Sequence, residues 1–234
     1  MQTQPEMPET ERLLEAALPH VAFDGWSEAT FRAAAADAGV EPTLARALFP
    51  RGALDLAVAF HRRGDRRMVE RLDAADLSAL RIREKIALAV RFRIEAAEDR
   101  EAVRRGSALF ALPTHAAEGA RLIWDTADTI WSALGDTSDD LNWYSKRATL
   151  SGVYGATVLY WLGDESPGYE DTWAFLDRRI GDVMTFEKFK AQVADNPVLK
   201  RLFAGPGRVL GKVRAPGKPR ADLPGRWSGV RKQE

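Results

Sequence analysis

Apolar residues recur every three or four positions along most of this 234-residue chain, which is the spacing of one face of an α-helix. No stretch shows the alternation of apolar and polar residues between tight turns that a β-hairpin requires. Apolar residues make up 45% of the chain, enough to bury a sizeable core. The pattern therefore predicts an all-α protein with one large domain or two small ones.

Cap and turn residues predict where the helices begin and end. A first helix covers residues 9–21, and Ser27 caps a second that ends near Gly39. A short third helix, residues 42–48, opens with a proline in its first turn. The later helices are predicted over residues 53–74, 78–97, 101–112, 116–134, 138–162, 169–192 and onward from Asn196.

Several classes of chemistry are disfavoured by the residues present. The chain has no cysteine, so disulfides and thiolate metal sites are excluded. The histidines, His20, His61 and His115, lie far apart in sequence, and we predict no metal site around any of them. No Gly-rich phosphate loop or nucleophile elbow occurs. We therefore expect no catalytic residue, no metal and no cofactor in a protein that is not an enzyme.

The C-terminal segment carries most of the unbalanced charge. From Lys188 onward there are 12 Lys and Arg against 3 Asp and Glu, although the whole chain is neutral. An anionic partner, either lipid headgroups or nucleic acid, and a disordered solubilising tail are equally compatible with this charge. Residues 150–162 are too few to span a bilayer, and the N-terminus predicts no signal peptide.

Residues 196–214 form an amphipathic pattern, with apolar residues on one arc and basic residues outside it. This is typical of a helix that lies on a membrane surface, although Gly205-Pro206-Gly207 should kink it, and packing against its own domain is the alternative. The predicted membrane-contact residues are Val198, Leu199, Lys200, Arg201, Leu202, Phe203, Arg208, Val209, Leu210 and Lys212.

The first three helices, followed by Leu48-Phe49-Pro50 and a long helix, resemble the head of TetR-type regulators. In that family the short third helix enters the DNA major groove. Here residues 26–51 carry balanced charges, and the third helix has one cation, Arg46. Phosphate attraction and base reading are therefore weak, and we predict no specific binding to nucleic acid.

From Ala108 onward a more specific resemblance appears. The segments ALFALPTHAAEGARLIWDTADTIWSALGD, DDLNWYSKRATLSGVYGATVLYWLGDESPGYEDTWAFLDRRI and FEKFKAQVADNP resemble the accessory family of coenzyme Q (ubiquinone) biosynthesis. The resemblance covers about residues 9–216. It implies a TetR-like fold, a buried site for an isoprenoid or quinone lipid, and no catalysis. It also implies delivery of a quinone intermediate to the di-iron hydroxylase of that pathway.

Two sets of site residues follow. Asp140, Trp143, Tyr144 and Arg147 share one helical face with the composition of an interface hot spot, and the resemblance implies that the hydroxylase docks there. The alternative to docking is that Trp143 packs in the core and that Asp140 is a negative charge at the N-terminus of the helix, where the helix dipole favours it. The resemblance also implies a lipid tunnel, with a filled core as the alternative. Its predicted walls are Leu109, Leu112, Ile123, Ala127, Ile130, Val153, Tyr154, Thr157 and Trp161.

Together these features predict a TetR-like, all-α protein that is cytoplasmic and peripheral on the inner membrane. The expected parts are a helix-turn-helix-like head (8–50), a helical lipid-binding domain (51–192), an amphipathic membrane-contact helix (193–214) and a basic disordered tail (215–234). TetR-like helices commonly pair, so a homodimer is compatible with the sequence. A TetR-type transcriptional regulator with a lipophilic effector is the alternative function.

Overall fold

Helices dominate the part of the chain that the structure, a computed structural model, describes. It describes residues 7–195, with side chains through Val183, and this part contains no strand. The helices are α1 (Glu9–Asp24), α2 (Glu28–Asp37), α3 (Pro42–Leu48), α4 (Ala53–Ala74), α5 (Ile82–Glu95), α6 (Arg100–Ala111), α7 (Ala116–Ala133), α8 (Leu141–Gly163) and α9 (Glu170–Asp195). A 3-10 turn, Pro167–Tyr169, precedes α9. The all-α prediction is confirmed.

The predicted caps operate in the head. Ser27 Oγ accepts a hydrogen bond from the Thr30 amide at 3.2 Å, which satisfies one of the free amides at the start of α2. Gly39 ends that helix with a φ of +61°, a conformation that glycine adopts without steric cost. The Glu41 side chain caps α3 by accepting from the Thr43 and Leu44 amides. These local bonds explain why the head helices were placed correctly from sequence.

Two predicted helix starts are wrong, because nearby side chains form turns instead. The Asp76 carboxylate accepts the Ser78 amide at 2.9 Å, and α5 begins only at Ile82. Ser138 donates its hydroxyl to Asp136 at 2.8 Å, so α8 begins at Leu141, after its cap Asp140. Short polar side chains that bond to adjacent backbone compete with helix formation in this way.

Two hydrophobic clusters hold the described helices together. The first lies in the head, where α1 packs against α2, α4 and α6 around Leu13, Leu14 and Leu56. The second joins the C-terminal half of α4 to α5, α7, α8 and α9 around Met68, Ile130 and Leu176. Each such fully buried side chain contributes about 1.5–3 kcal/mol. The long α4 belongs to both clusters and fixes the head on the rest of the protein.

The predicted membrane-contact residues, Val198 to Lys212, lie outside the described residues, as does the tail over 215–234. Within residues 7–195, no helix combines the length and apolar character that crossing a membrane requires.

Candidate lipid cavity and docking surface

A cavity of about 370 Å³ opens between the head and α6, α7 and α8. Its walls are largely apolar, and the volume is within the range of small-molecule sites. Gly119 brings α7 against Phe110 of α6, because a Cβ there would lie 2.7 Å from Phe110 Cβ. The apolar lining includes Trp26, Phe60, Val103, Phe110, Ile123 and Val158.

One end of this cavity is polar, and we call His61, Arg93 and Tyr154 its polar end. Arg93 Nε donates to Asp65 Oδ1 at 2.6 Å, and the same guanidinium donates to the His61 carbonyl at 2.8 Å. Thr126 joins the network by donating to Asp65 at 2.9 Å. The buried arginine is therefore paired and hydrogen-bonded, as a buried charge must be.

Burial and nearby charges set the protonation states of His61 and Tyr154. Burial, and then the positive charge of Arg93, lowers the pKa of His61 well below its usual range. The imidazole is therefore neutral at pH 7. Burial raises the pKa of Tyr154, so its phenol stays protonated. Asp65 follows His61 by one helical turn, and its Oδ2 lies 3.9 Å from His61 Nε2. The wide spacing of the histidines in the sequence gave no sign of this carboxylate.

Only part of the predicted tunnel lines this cavity. Ile123 and Tyr154 do, whereas Val153 lines a separate groove of about 350 Å³ beside Trp131 and Lys146. The others divide between packing and surface. Ala127, Ile130 and Trp161 lie in the second core cluster, and Thr157 is buried with its hydroxyl bonded to the Val153 carbonyl at 2.7 Å. Leu109 packs against the head cluster, and Leu112 is 49% exposed.

The predicted docking residues lie at the start of α8 in different environments. Asp140 is exposed and caps the helix by accepting the Asn142 amide at 2.9 Å. Trp143 and Tyr144 are half-buried and contact each other edge to face, with ring centroids 4.8 Å apart. We call Asp140, Trp143 and Tyr144 the α8 surface patch.

Arg147, the fourth predicted docking residue, is buried below this patch, with 3% of its side chain exposed. It donates to Asp128 at 2.5 Å and to Asp136 at 3.1 Å. Its guanidinium lies 4.0 Å from the centre of the Trp143 ring and also donates to the Trp143 carbonyl at 3.1 Å. Arg147 therefore holds Trp143 in place from beneath, which helical spacing alone could not reveal.

Asp136 is the buried anion of this cluster, with 4% of its side chain exposed. Burial raises its pKa, but hydrogen bonds from Lys146, Ser138 and Arg147 outweigh that effect and lower the pKa from 3.8 to about 2. Asp136 therefore stays ionised near neutral pH and anchors both Arg147 and Lys146.

Arg46, the cation of the short helix α3 in the head, is already paired within the protein. It forms an ion pair with Glu28 and lies 4.5 Å from the centre of the Phe31 ring. Leu44 is 44% exposed, an apolar side chain where a DNA-reading helix would carry polar groups.

Comparisons with known proteins agree with this fold. The TetR transcriptional regulator from Nitrosomonas europaea ATCC 19718 superposes with a TM-score of 0.62 at 21% identity, over 75% of this chain and 97% of that chain. At this identity the likeness concerns the fold. By architecture, the protein is a TetR-like, all-helical protein.

Sequence comparison then shows a likeness to one family. A family model described as COQ9 matches residues 116–187, which include α7, α8 and the first part of α9. The protein "Ubiquinone biosynthesis protein COQ9, mitochondrial" of Xenopus tropicalis is 32% identical over 79% of this chain and 60% of its own length. Its Homo sapiens counterpart is 28% identical over 78% of this chain and 59% of its own length. The chain is therefore similar to the COQ9 family, with the family-model match confined to residues 116–187, and it spans about 60% of the length of these relatives.

Proposed function

We propose that this protein is a lipid-binding accessory factor of ubiquinone biosynthesis and has no catalytic role of its own. It holds an isoprenoid or quinone intermediate and presents it to the pathway's di-iron demethoxyubiquinone hydroxylase. The cavity between the head and α6, α7 and α8 carries the proposal, because it pairs apolar walls with one polar end. The ubiquinone role is inferred from the relatives' names and from the family match over α7 and α8.

The cavity suits part of an isoprenoid chain. Burial of apolar surface contributes about 25 cal/mol per Å², so a hydrocarbon tail gains by leaving water for walls such as Phe110, Ile123 and Val158. Leu159, at the cavity on α8, is 67% exposed and marks an apolar route from the surface. The basic residues beyond Lys188 would bring the protein to an anionic membrane, which makes it peripheral on that surface.

Filling the cavity should abolish lipid binding. Gly155 faces Ile123, whose Cδ1 would lie 3.8 Å from an added Cβ, so Gly155→Leu should place a side chain in the cavity. We expect mass spectrometry of lipids extracted after detergent-free purification to find an isoprenoid or quinone in the parent and at least tenfold less in this variant. Gly152→Leu is the control, because no described atom lies within 4 Å of its added Cβ. Equal lipid in all three proteins, or none in the parent, would contradict the proposal.

The α8 surface patch is the proposed docking site. Replacing Trp143 with alanine removes a half-buried ring at its centre, and such aromatic hot spots contribute about 2 kcal/mol or more to binding. We expect the hydroxylase to bind Trp143→Ala at least tenfold more weakly in surface plasmon resonance, and Tyr144→Ala to weaken it as well. Trp173→Ala, which removes a half-buried ring on α9, should bind like the parent. Unchanged affinity in both patch variants would refute this docking site.

We do not propose a DNA-binding regulator. The only cation of α3, Arg46, is paired with Glu28, so this helix offers no free charge to a phosphate.

A further inference from the structure

We infer that the cavity selects a neutral, oxygen-bearing head group, a hydroxyl or a carbonyl, and excludes carboxylates and phosphates at its polar end. This inference rests on the proposed lipid binding and adds to it the orientation and the head-group chemistry of the ligand. The ligand's oxygen would contact His61 and Tyr154, and its hydrocarbon tail would extend along the apolar walls.

The charges at the polar end are already balanced. The Arg93 side chain is 5% exposed and pairs with Asp65, whose side chain is 12% exposed, at 2.6 Å. Its remaining described hydrogen bond goes to the His61 carbonyl, so its charge is committed within the protein. An anionic head group would enter beside the Asp65 carboxylate without a free cation to pair with it. The desolvation of such a charge is costly, whereas a neutral oxygen carries no such cost.

The hydrogen bonds of Thr126 fix which nitrogen of His61 carries the proton. The Thr126 hydroxyl lies 2.9 Å from Asp65 Oδ1 and 3.1 Å from the Leu122 carbonyl oxygen, and both of these atoms only accept. Because the hydroxyl has one hydrogen, it donates to one of them and must accept from His61 Nε2, which lies 2.9 Å away. In the neutral ring, Nδ1 is therefore the remaining acceptor.

Tyr154 supplies the matching donor. Tyr154 is 5% exposed and lines the cavity, and no hydrogen bond to its hydroxyl occurs among the described residues whose side chains are placed, through Val183. A tyrosine hydroxyl at a cavity wall that has no protein partner is free to donate, so a ligand oxygen in the cavity would accept from it. A donor and an acceptor at one end of an apolar cavity match a hydroxyl, and the Tyr154 hydroxyl alone matches a carbonyl.

The test uses two probes with the same tail, farnesol and farnesoic acid, and isothermal titration calorimetry at pH 7.5, where the acid is ionised. The full chain should bind farnesol at least about tenfold more tightly than farnesoic acid. Tyr154→Phe keeps the ring and removes the hydroxyl, so it should weaken farnesol binding by about three- to tenfold. Tyr160→Phe makes the same change on α8 at a 39% exposed residue that does not line the cavity, and should bind like the parent.

A second variant, His61→Gln, keeps a donor for Thr126 and removes the Nδ1 acceptor. It should also weaken farnesol binding, with thermal melts confirming that both variants remain folded. The outcomes separate the two proposals. If farnesol does not bind the parent protein, the proposed lipid binding fails. If farnesol binds, but the acid binds equally well and neither variant changes the affinity, the head-group inference is overturned while lipid binding stands.

Discussion

Replacing Arg147 with methionine should lower the free energy of unfolding by about 3–5 kcal/mol, because it leaves a buried carboxylate short of a partner. Arg147 bonds to Asp136 at 3.1 Å, and both side chains are at most 4% exposed. Methionine keeps the length of the chain and removes the charge, so the ionised Asp136 would retain only Lys146 and Ser138. Urea unfolding followed by circular dichroism measures the change.

The matched control is Arg91→Met. Arg91 also pairs with a carboxylate, Glu95, at 2.7 Å and lies 4.9 Å from the centre of a tryptophan ring, Trp173. Its side chain is 50% exposed, however, and exposed ion pairs contribute about 0–1 kcal/mol. A loss in Arg147→Met no larger than the loss in Arg91→Met would show that the buried pairing does not stabilise the fold.

The pH dependence of this difference follows from Asp136. Its pKa is lowered from 3.8 to about 2, so its ionised form stabilises the folded state above pH 3.8, and that contribution disappears as the pH falls towards 2. Without Arg147, the folded-state pKa of Asp136 should rise, since burial remains and one donor is gone. The stability difference between parent and variant should therefore shrink between pH 4 and pH 2. A constant difference across this window would contradict the role of Asp136.

Replacing Gly64 with alanine should destabilise the protein by about 2–4 kcal/mol, although alanine normally favours a helix. A Cβ at Gly64 would overlap the guanidinium of Arg93, in contact with its Cζ and both terminal nitrogens. Arg93 has little freedom to move away, because it is 4% exposed and bonds to Asp65 and to the His61 carbonyl. Overpacking and the disturbed ion pair therefore add. Thermal and urea unfolding measure the effect.

Gly152→Ala is the control for this prediction. Gly152 lies within α8, is exposed, and has no described atom within 4 Å of an added Cβ. Alanine there should stabilise the protein by about 0.5–1 kcal/mol through helix propensity alone. If Gly64→Ala stabilises to the same extent, Arg93 is not held where the network places it. Farnesol binding should also weaken in Gly64→Ala, since Arg93 belongs to the polar end of the cavity.

The sequence contained most of the information for the helices, because their ends depend on bonds between near neighbours. Ser27, Gly39 and Pro42 set the ends of α2 and α3 through interactions that span a few residues. The same local chemistry also explains the errors. Asp76 and Asp136 form turns with Ser78 and Ser138, which delays α5 and α8 by one turn, and the helical spacing of apolar residues carries no sign of these turns.

The site was predictable only in part. Helical spacing placed Trp143 and Arg147 on one face of α8, but it could not show that one lies near the surface and the other beneath it. That difference depends on Asp128 and Asp136, which lie 19 and 11 residues away. The polar end was missed, although a glycine amid long side chains, Gly64, is a signal of close approach.

The sequence by itself therefore determined an all-helical TetR-like protein that resembles the COQ9 family, because periodicity, caps and family motifs depend on residues close together in the chain. The tertiary structure alone decided which apolar residues fill the core and which line the cavity. It also decided which buried charges meet, as with Arg93 and Asp65, 28 residues apart. Burial and ion pairing depend on how helices distant in sequence pack together. The apolar pattern within one helix does not show which other helices it will contact.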